Sequence, residues 1–151
     1  IIKSISKSFG VPGLRLGLLA TADVELIKKI RQDMQIWNIN SFGGYYFQVY
    51  QLFAKKYSHA CDCIADERNY MIEELSKIKS IKVYPSQANY IMIELKERKS
   101  YDFCVQMLDE SNLLVKDLST KRFFEGKNYI RVAVRDRHDN DILINKFKEV
   151  L

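Results

Sequence analysis

Strands and helices alternate along this chain, and the alternation predicts an α/β protein whose C-terminal part is a small α+β lobe. Three observations carry that expectation. Leu14-Arg15-Leu16-Gly17-Leu18-Leu19-Ala20 is a nearly continuous apolar run, as in a strand covered on both faces. Apolar residues between 24 and 78 recur at helical spacing. From residue 80 onward, short strand signals and helical stretches follow one another.

Residues 1–6 and 14–20 read as strands, joined through Lys7-Ser8-Phe9-Gly10-Val11-Pro12-Gly13. Three of the six glycines and one of the two prolines lie within residues 10–17, which marks a tight turn or a close backbone approach. Thr21 or Asp23 can cap a first helix with Ile27, Ile30, Met34 and Trp37 on one face. Asn40 or Ser41 can open a second, aligning Phe42, Tyr46, Val49 and Phe53. A third is expected over about 58–78, with Cys61, Ile64, Met71, Leu75 and Ile78 inward. Ile81–Tyr84 and Asn89–Leu95 read as strands, broken by Pro85-Ser86-Gln87. A helix over about 101–111 precedes strand signals at Leu113–Val115 and Tyr129–Val134. A last helix is expected over about 139–150, with Ile142, Leu143, Phe147 and Val150 inward. Residues 116–127 read as a mobile loop.

Of the 151 residues, 47% are hydrophobic and 28% charged, which suits a globular domain and excludes disorder as the main state. No apolar run reaches the roughly 18 residues of a membrane span. A net charge of +5 permits an anionic ligand but is modest enough to serve solubility alone. Three cysteines cannot all pair within one chain, and Lys3, Ser4, Ser6 and Lys7 interrupt any apolar signal region. A reducing, cytoplasmic setting is the expectation. Residue 1 is not Met and falls inside an apolar segment, so the chain reads as lacking upstream sequence.

The chemistry concentrates in Ser4-Ile5-Ser6-Lys7-Ser8-Phe9-Gly10-Val11-Pro12-Gly13-Leu14-Arg15-Leu16-Gly17. On the strand reading, Lys7 sits at a sheet edge, Ser4 and Ser6 precede it on one side of the extended strand, and Arg15 lies in the next strand. A lysine, two hydroxyls, a guanidinium and glycine N–H groups make a phosphate cradle beside a nucleophilic amine. A lysine amine gains nucleophilicity when burial or neighbouring cations lower its pKa. A carbonyl cofactor bearing a phosphate suits such a site, and pyridoxal phosphate is one.

These fourteen residues resemble the lysine signature of class I/II aminotransferases, S-x-S-K-x-x-G-x-x-G-x-R-x-G. Further matches point to the histidinol-phosphate aminotransferase and threonine-phosphate decarboxylase branch. Pro85-Ser86-Gln87-Ala88-Asn89-Tyr90 resembles its P-S-x-A-N-F. Asn112-Leu113-Leu114-Val115-Lys116-Asp117 resembles G-I-x-V-R-D, with Lys116 in place of the arginine. Tyr129-Ile130-Arg131-Val132-Ala133-Val134 resembles the L-R-I-T-V strand, and Arg135 extends it toward the R-x-A-V-R of the decarboxylases.

The resemblance implies the C-terminal part of a fold-type I, pyridoxal-phosphate-dependent enzyme. Residues 1–40 would end the large cofactor domain, 41–78 would be connecting helices, and 79–151 the complete small domain. Lys7 would be the Schiff-base lysine and move the α-proton. Arg15, with Ser4 and Ser6, would bind the cofactor phosphate. Arg131 would grip the substrate carboxylate, and Arg135 would hold a substrate phosphate or flank a helix. The expected reaction is amino transfer between an amino acid or phosphorylated amine and a 2-oxo acid, in a homodimer. Decarboxylation of a phosphorylated amino acid is the alternative. This chain alone, with about half of a site, is expected to be inactive, and a non-catalytic binding module is a further alternative.

Other groups carry less. His59, Cys61 and Cys63 have no second ligand cluster, so no metal is expected. Tyr45, Tyr46, Phe47, Tyr50 and Phe53 at helical spacing read as core or subunit interface, not as a base-stacking platform. Lys116, Lys121, Arg122 and Lys127 read as a solvated loop, and neither nucleic acid nor membrane is an expected partner.

Overall fold

The computed structural model describes residues 1–151, with the side chain of Ser8 left out. The chain divides into two compact units, Ile1–His59 and Ala60–Leu151.

In the first unit, β1 (Ile2–Ser4) pairs antiparallel with β2 (Gly17–Leu19), Lys3 facing Leu18 in the register. Between them the chain makes a single helical turn, α1 (Ile5–Ser8), and one 3-10 turn at Pro12–Leu14. The expected strand over 1–6 therefore stops at Ser4. Ile5 is buried, its N–H bonds Leu16 O at 3.3 Å, and the Phe9 N–H closes the turn on Ile5 O at 3.2 Å. The strand expected over 14–20 shortens to three residues, and both of its faces are exposed within this chain. Its apolar run records a preference for burial that these residues do not meet among themselves.

Helix α2 (Val24–Asp33) starts where Asp23 accepts the Leu26 N–H at 2.9 Å. It ends before Met34, which is extended, so Met34 and Trp37 leave the expected helical face and Trp37 is 89% exposed. The second and third expected helices are one, α3 (Ser41–Ser76). Ser58 could have opened a new helix, but residues 54–60 contain no glycine or proline to stop the old one. Asn40 caps it, accepting the Gly43 N–H at 2.8 Å.

The second unit is a four-stranded antiparallel sheet of order β3-β4-β6-β5. Its strands are β3 (Ile81–Val83), β4 (Tyr90–Leu95), β5 (Lys116–Asp117) and β6 (Tyr129–Ala133). Period-two alternation puts Ile91, Ile93, Leu95, Ile130 and Val132 on one face. That face packs on Met71 and Leu75 of α3, Phe103 and Met107 of α4 (Ser100–Ser111), and Ile144 and Phe147 of α5 (Arg137–Val150). Phe103 and Phe147 are both fully buried and meet edge to face, centroids 5.1 Å apart.

Several boundaries differ from expectation here. The strand placed at 113–115 forms instead at Lys116–Asp117, because Asn112 in the left-handed region first closes α4. The stretch expected as a loop therefore begins as a strand and continues in turns, with Lys121 N–H on Leu118 O and Phe124 N–H on Lys121 O, each at 2.9 Å. Asp136 caps α5 two residues early, accepting the Asp139 N–H at 3.0 Å. The inward face of α5 then runs through Asn140, Ile144 and Phe147, while Ile142 points outward. Cys61 is likewise exposed and not on the packed face of α3. Among the described residues, no helix is long and apolar enough to cross a membrane.

Candidate active site

The lysine motif folds as a strand end, a helical turn and a glycine-bearing loop. Ser4 ends β1, and Ser6 and Lys7 lie in α1. The two serines therefore do not share one side of an extended strand, as the sequence reading had them. Lys7 is exposed. Its carbonyl accepts the Gly10 N–H at 3.2 Å, and Gly10 turns with φ +67°. Arg15 is not in β2 but just before it, in the left-handed region with φ 54°, its guanidinium donating to Pro12 O at 3.3 Å. Only a surrounding hold keeps a non-glycine residue in that region.

Residues 1–22 contain Lys3, Lys7 and Arg15 and no carboxylate at all. An amine, a guanidinium, hydroxyls and turn N–H groups with no competing acid are a donor set that suits a phosphate-bearing carbonyl compound.

The second unit presents another cationic surface on the face of its sheet away from the core. Arg131 projects from β6, with its guanidinium 4.9 Å from the Tyr90 ring centroid. Among the described residues it makes no ion pair. Glu94 on the same face is engaged by the Tyr84 hydroxyl at 2.6 Å, a contact that pushes the Tyr84 pKa well up. Lys116 sits directly across from Arg131 in the β5–β6 register. The sequence reading placed Lys116 in a solvated loop. Its pairing could be found only from the register, although the match to V-R-D was a signal.

Arg135 lies beyond the end of β6, where its guanidinium pairs with Asp139 in the first turn of α5. That bond raises the Arg135 pKa further. Arg135 also lines a cavity of about 310 Å³ with Leu113, Leu114 and Leu143. The backbone there is held by Asn140, 1% exposed, which bonds the N–H and the carbonyl of Arg135 at 3.0 and 2.9 Å.

The Cys104 thiol is unsuited as a nucleophile. Burial pushes the Cys104 thiol up to about 11. Among the described residues, no group of three or more His, Cys, Asp or Glu side chains could hold a metal ion. Of the expected aromatic group, Tyr45 and Phe53 are more than half exposed, while Tyr46 and Tyr50 are half-buried and in contact with each other.

The model of the family described as aminotransferase class I and II matches residues 1–147. The chain belongs to that family. Its fold is that of a fold-type I enzyme, and enzymes of this family depend on pyridoxal phosphate. Across its whole length the chain is 36% identical to the histidinol-phosphate aminotransferase of Thermoanaerobacter pseudethanolicus, covering 41% of that protein. It is 34% identical to the L-serine phosphate decarboxylase of Sulfurospirillum multivorans, again over its whole length and covering 39% of that protein. The solved structure of a decarboxylase from Sulfurospirillum multivorans superimposes with a TM-score of 0.82 at 33% identity, over all of this chain and 43% of that one. The chain thus spans about two fifths of the length of these relatives.

Proposed function

We propose that Lys7 is the cofactor-bearing lysine of a pyridoxal-phosphate-dependent aminotransferase that moves an amino group between an amino acid or phosphorylated amine and a 2-oxo acid. The observation that carries this is the exposed Lys7 on a one-turn helix, in a stretch, residues 1–22, that contains Lys3, Lys7 and Arg15 and no carboxylate. When bound, the cofactor supplies an electron sink for the bonds of the substrate α-carbon. Arg15, Ser4 and Ser6 would hold its phosphate. The Lys7 amine would take the α-proton and return it. Arg131 holds the substrate carboxylate through its planar fork.

A second reading is decarboxylation of a phosphorylated amino acid. The Lys116–Arg131 pair is compatible with it, since two adjacent cations suit a dianionic phosphate, as they would the phosphorylated amine of the first reading. Arg135 would join them by exchanging its Asp139 partner. The reading also brings small amino-acid and 2-oxo-acid substrates, a cytoplasmic setting and a homodimer. Apolar residues such as Ile36, Trp37 and Phe42, each more than three quarters exposed, support the dimer.

The test is an assay of the intact protein with pyridoxal phosphate and a panel of amino acids and phosphorylated amines. Amino transfer that requires a 2-oxo acid supports our reading. Carbon dioxide release without one supports the second. Neither reading survives if Lys7→Ala is as active as the parent.

A further inference from the structure

Lys7 and Arg15 stand at the two ends of one loop, and α3 holds that loop at two places. Near Lys7 the contact is aromatic. Phe9 stacks on Tyr57 with centroids 4.4 Å apart and planes 16° from parallel. Tyr50 meets the same ring edge-on at 5.1 Å. Tyr50 and Tyr57 are two helical turns apart, so they share the α3 face that grips Phe9. The Phe9 N–H in turn closes the α1 turn that carries Lys7.

Near Arg15 the contact is polar. Asn40 uses both halves of its amide. Its Oδ1 accepts the Gly43 N–H at 2.8 Å and caps α3, while its Nδ2 donates to Leu14 O at 3.1 Å. Leu14 immediately precedes Arg15. Leu16, immediately after it, is buried, and a Cβ added at Gly43 would lie 2.9 Å from its Cδ2. Gly43 thus lets the helix start approach closely. These holds on both neighbours account for a left-handed Arg15.

We propose that the first part of α3 is a two-point clamp that sets the separation of the Lys7 amine and the Arg15 guanidinium. Asn40 and Tyr57 are its positioning residues. The proposal rests on the reading in which Lys7 and Arg15 hold opposite ends of pyridoxal phosphate. That molecule is small and stiff, so its two anchors must keep a fixed distance. The loop between them contains Gly10 and Gly13 and would not keep that distance unaided.

The test uses the intact protein and pyridoxal phosphate as the probe. Equilibrium binding is measured, and attachment is read by borohydride reduction and peptide mass spectrometry. Asn40→Ser keeps a capping oxygen but loses the amide donor, so the helix start survives while the tether to Leu14 goes. We expect binding to weaken about tenfold, the worth of one hydrogen bond. Tyr57→Leu should slow reductive capture at Lys7 roughly fivefold, as expected for the loss of one aromatic pair. Tyr57→Phe should restore it. If Asn40→Ser and Tyr57→Leu both bind and capture like the parent while Lys7→Ala loses capture, the clamp is wrong and the cofactor reading stands. If Lys7→Ala leaves capture at this peptide intact, the cofactor reading itself fails. Should Tyr57→Leu not fold, Asn40→Ser decides the matter alone.

Discussion

The Arg131 guanidinium lies against the Tyr90 ring, 4.9 Å from its centroid. The two are diagonal neighbours across the β4–β6 ladder, Arg131 opposite Met92 and Tyr90 opposite Ala133. A cation over a ring face loses little hydration and keeps its N–H edge available for an anion. Tyr90 is therefore expected to order Arg131 without touching the reaction. Tyr90→Leu should raise the KM for a carboxylate substrate about two- to fivefold with kcat unchanged. Tyr90→Phe, which keeps the ring, should behave like the parent. A fall in kcat at constant KM would place Tyr90 in the chemistry and reject this role.

Lys116 and Arg131 are like charges directly across β5 and β6. Such pairs destabilise a sheet, and this one makes sense where an anion binds between the two cations. Lys116→Thr should stabilise the protein without ligand by about 0.5 kcal/mol, and should weaken binding of a phosphorylated substrate more than of one bearing only a carboxylate. Denaturant unfolding and paired binding titrations measure the two effects. Equal weakening for both ligand types would remove Lys116 from phosphate recognition.

What could be read in the sequence follows from how much pattern each element contains. Tyr90–Leu95 and Tyr129–Ala133 alternate over five or six residues, and each strand forms within one residue of the span expected. The turn at Ile5–Ser8 is too short to show any period, so apolar Ile1, Ile2 and Ile5 were read as one strand. The Lys7–Arg15 motif was legible because it is a fixed spacing of chemically distinct residues. Its geometry was not, since the left-handed Arg15 depends on Asn40 and Leu16, contacts made across the fold. The facing of Lys116 and Arg131 escaped for the same reason. It is set by how the turns between Leu118 and Asn128 return the chain, which no periodicity encodes.

Gly10 takes φ +67°, yet a Cβ there would meet nothing within 4 Å. The cost of a side chain is therefore purely conformational. Gly10→Ala should destabilise the protein by about 1 kcal/mol, and Gly10→Asn by less, because asparagine tolerates the left-handed region. For a chain of this size the first corresponds to a fall in Tm of about 2–4 °C. The Gly10 N–H bonds Lys7 O, so cofactor capture at Lys7 should slow in the same order. Unchanged stability in Gly10→Ala would mean that the turn relaxes to another conformation.

Glu74 of α3 bonds Lys148 of α5 at 2.8 Å and Lys77 just past the end of α3. The hydrogen bond from Lys148, then that from Lys77, hold its carboxyl down at about 2 from an ordinary 4.5. The Arg137 bond lowers Glu67 in the same direction. A carboxylate favoured in this way stabilises the fold fully above its unfolded pKa and stops doing so as pH falls through its folded one. The loss should therefore be spread between about pH 4.5 and about pH 2. Lys77, raised by the same contact, contributes below the ordinary lysine range and loses its effect only in strong alkali, outside this window. Glu74→Gln should flatten the acid limb of stability against pH, and high salt should flatten it in the parent, because both partners are partly exposed. Urea unfolding at stepped pH measures both, and an unchanged slope in Glu74→Gln would mean that the Lys148 bridge carries none of the acid sensitivity.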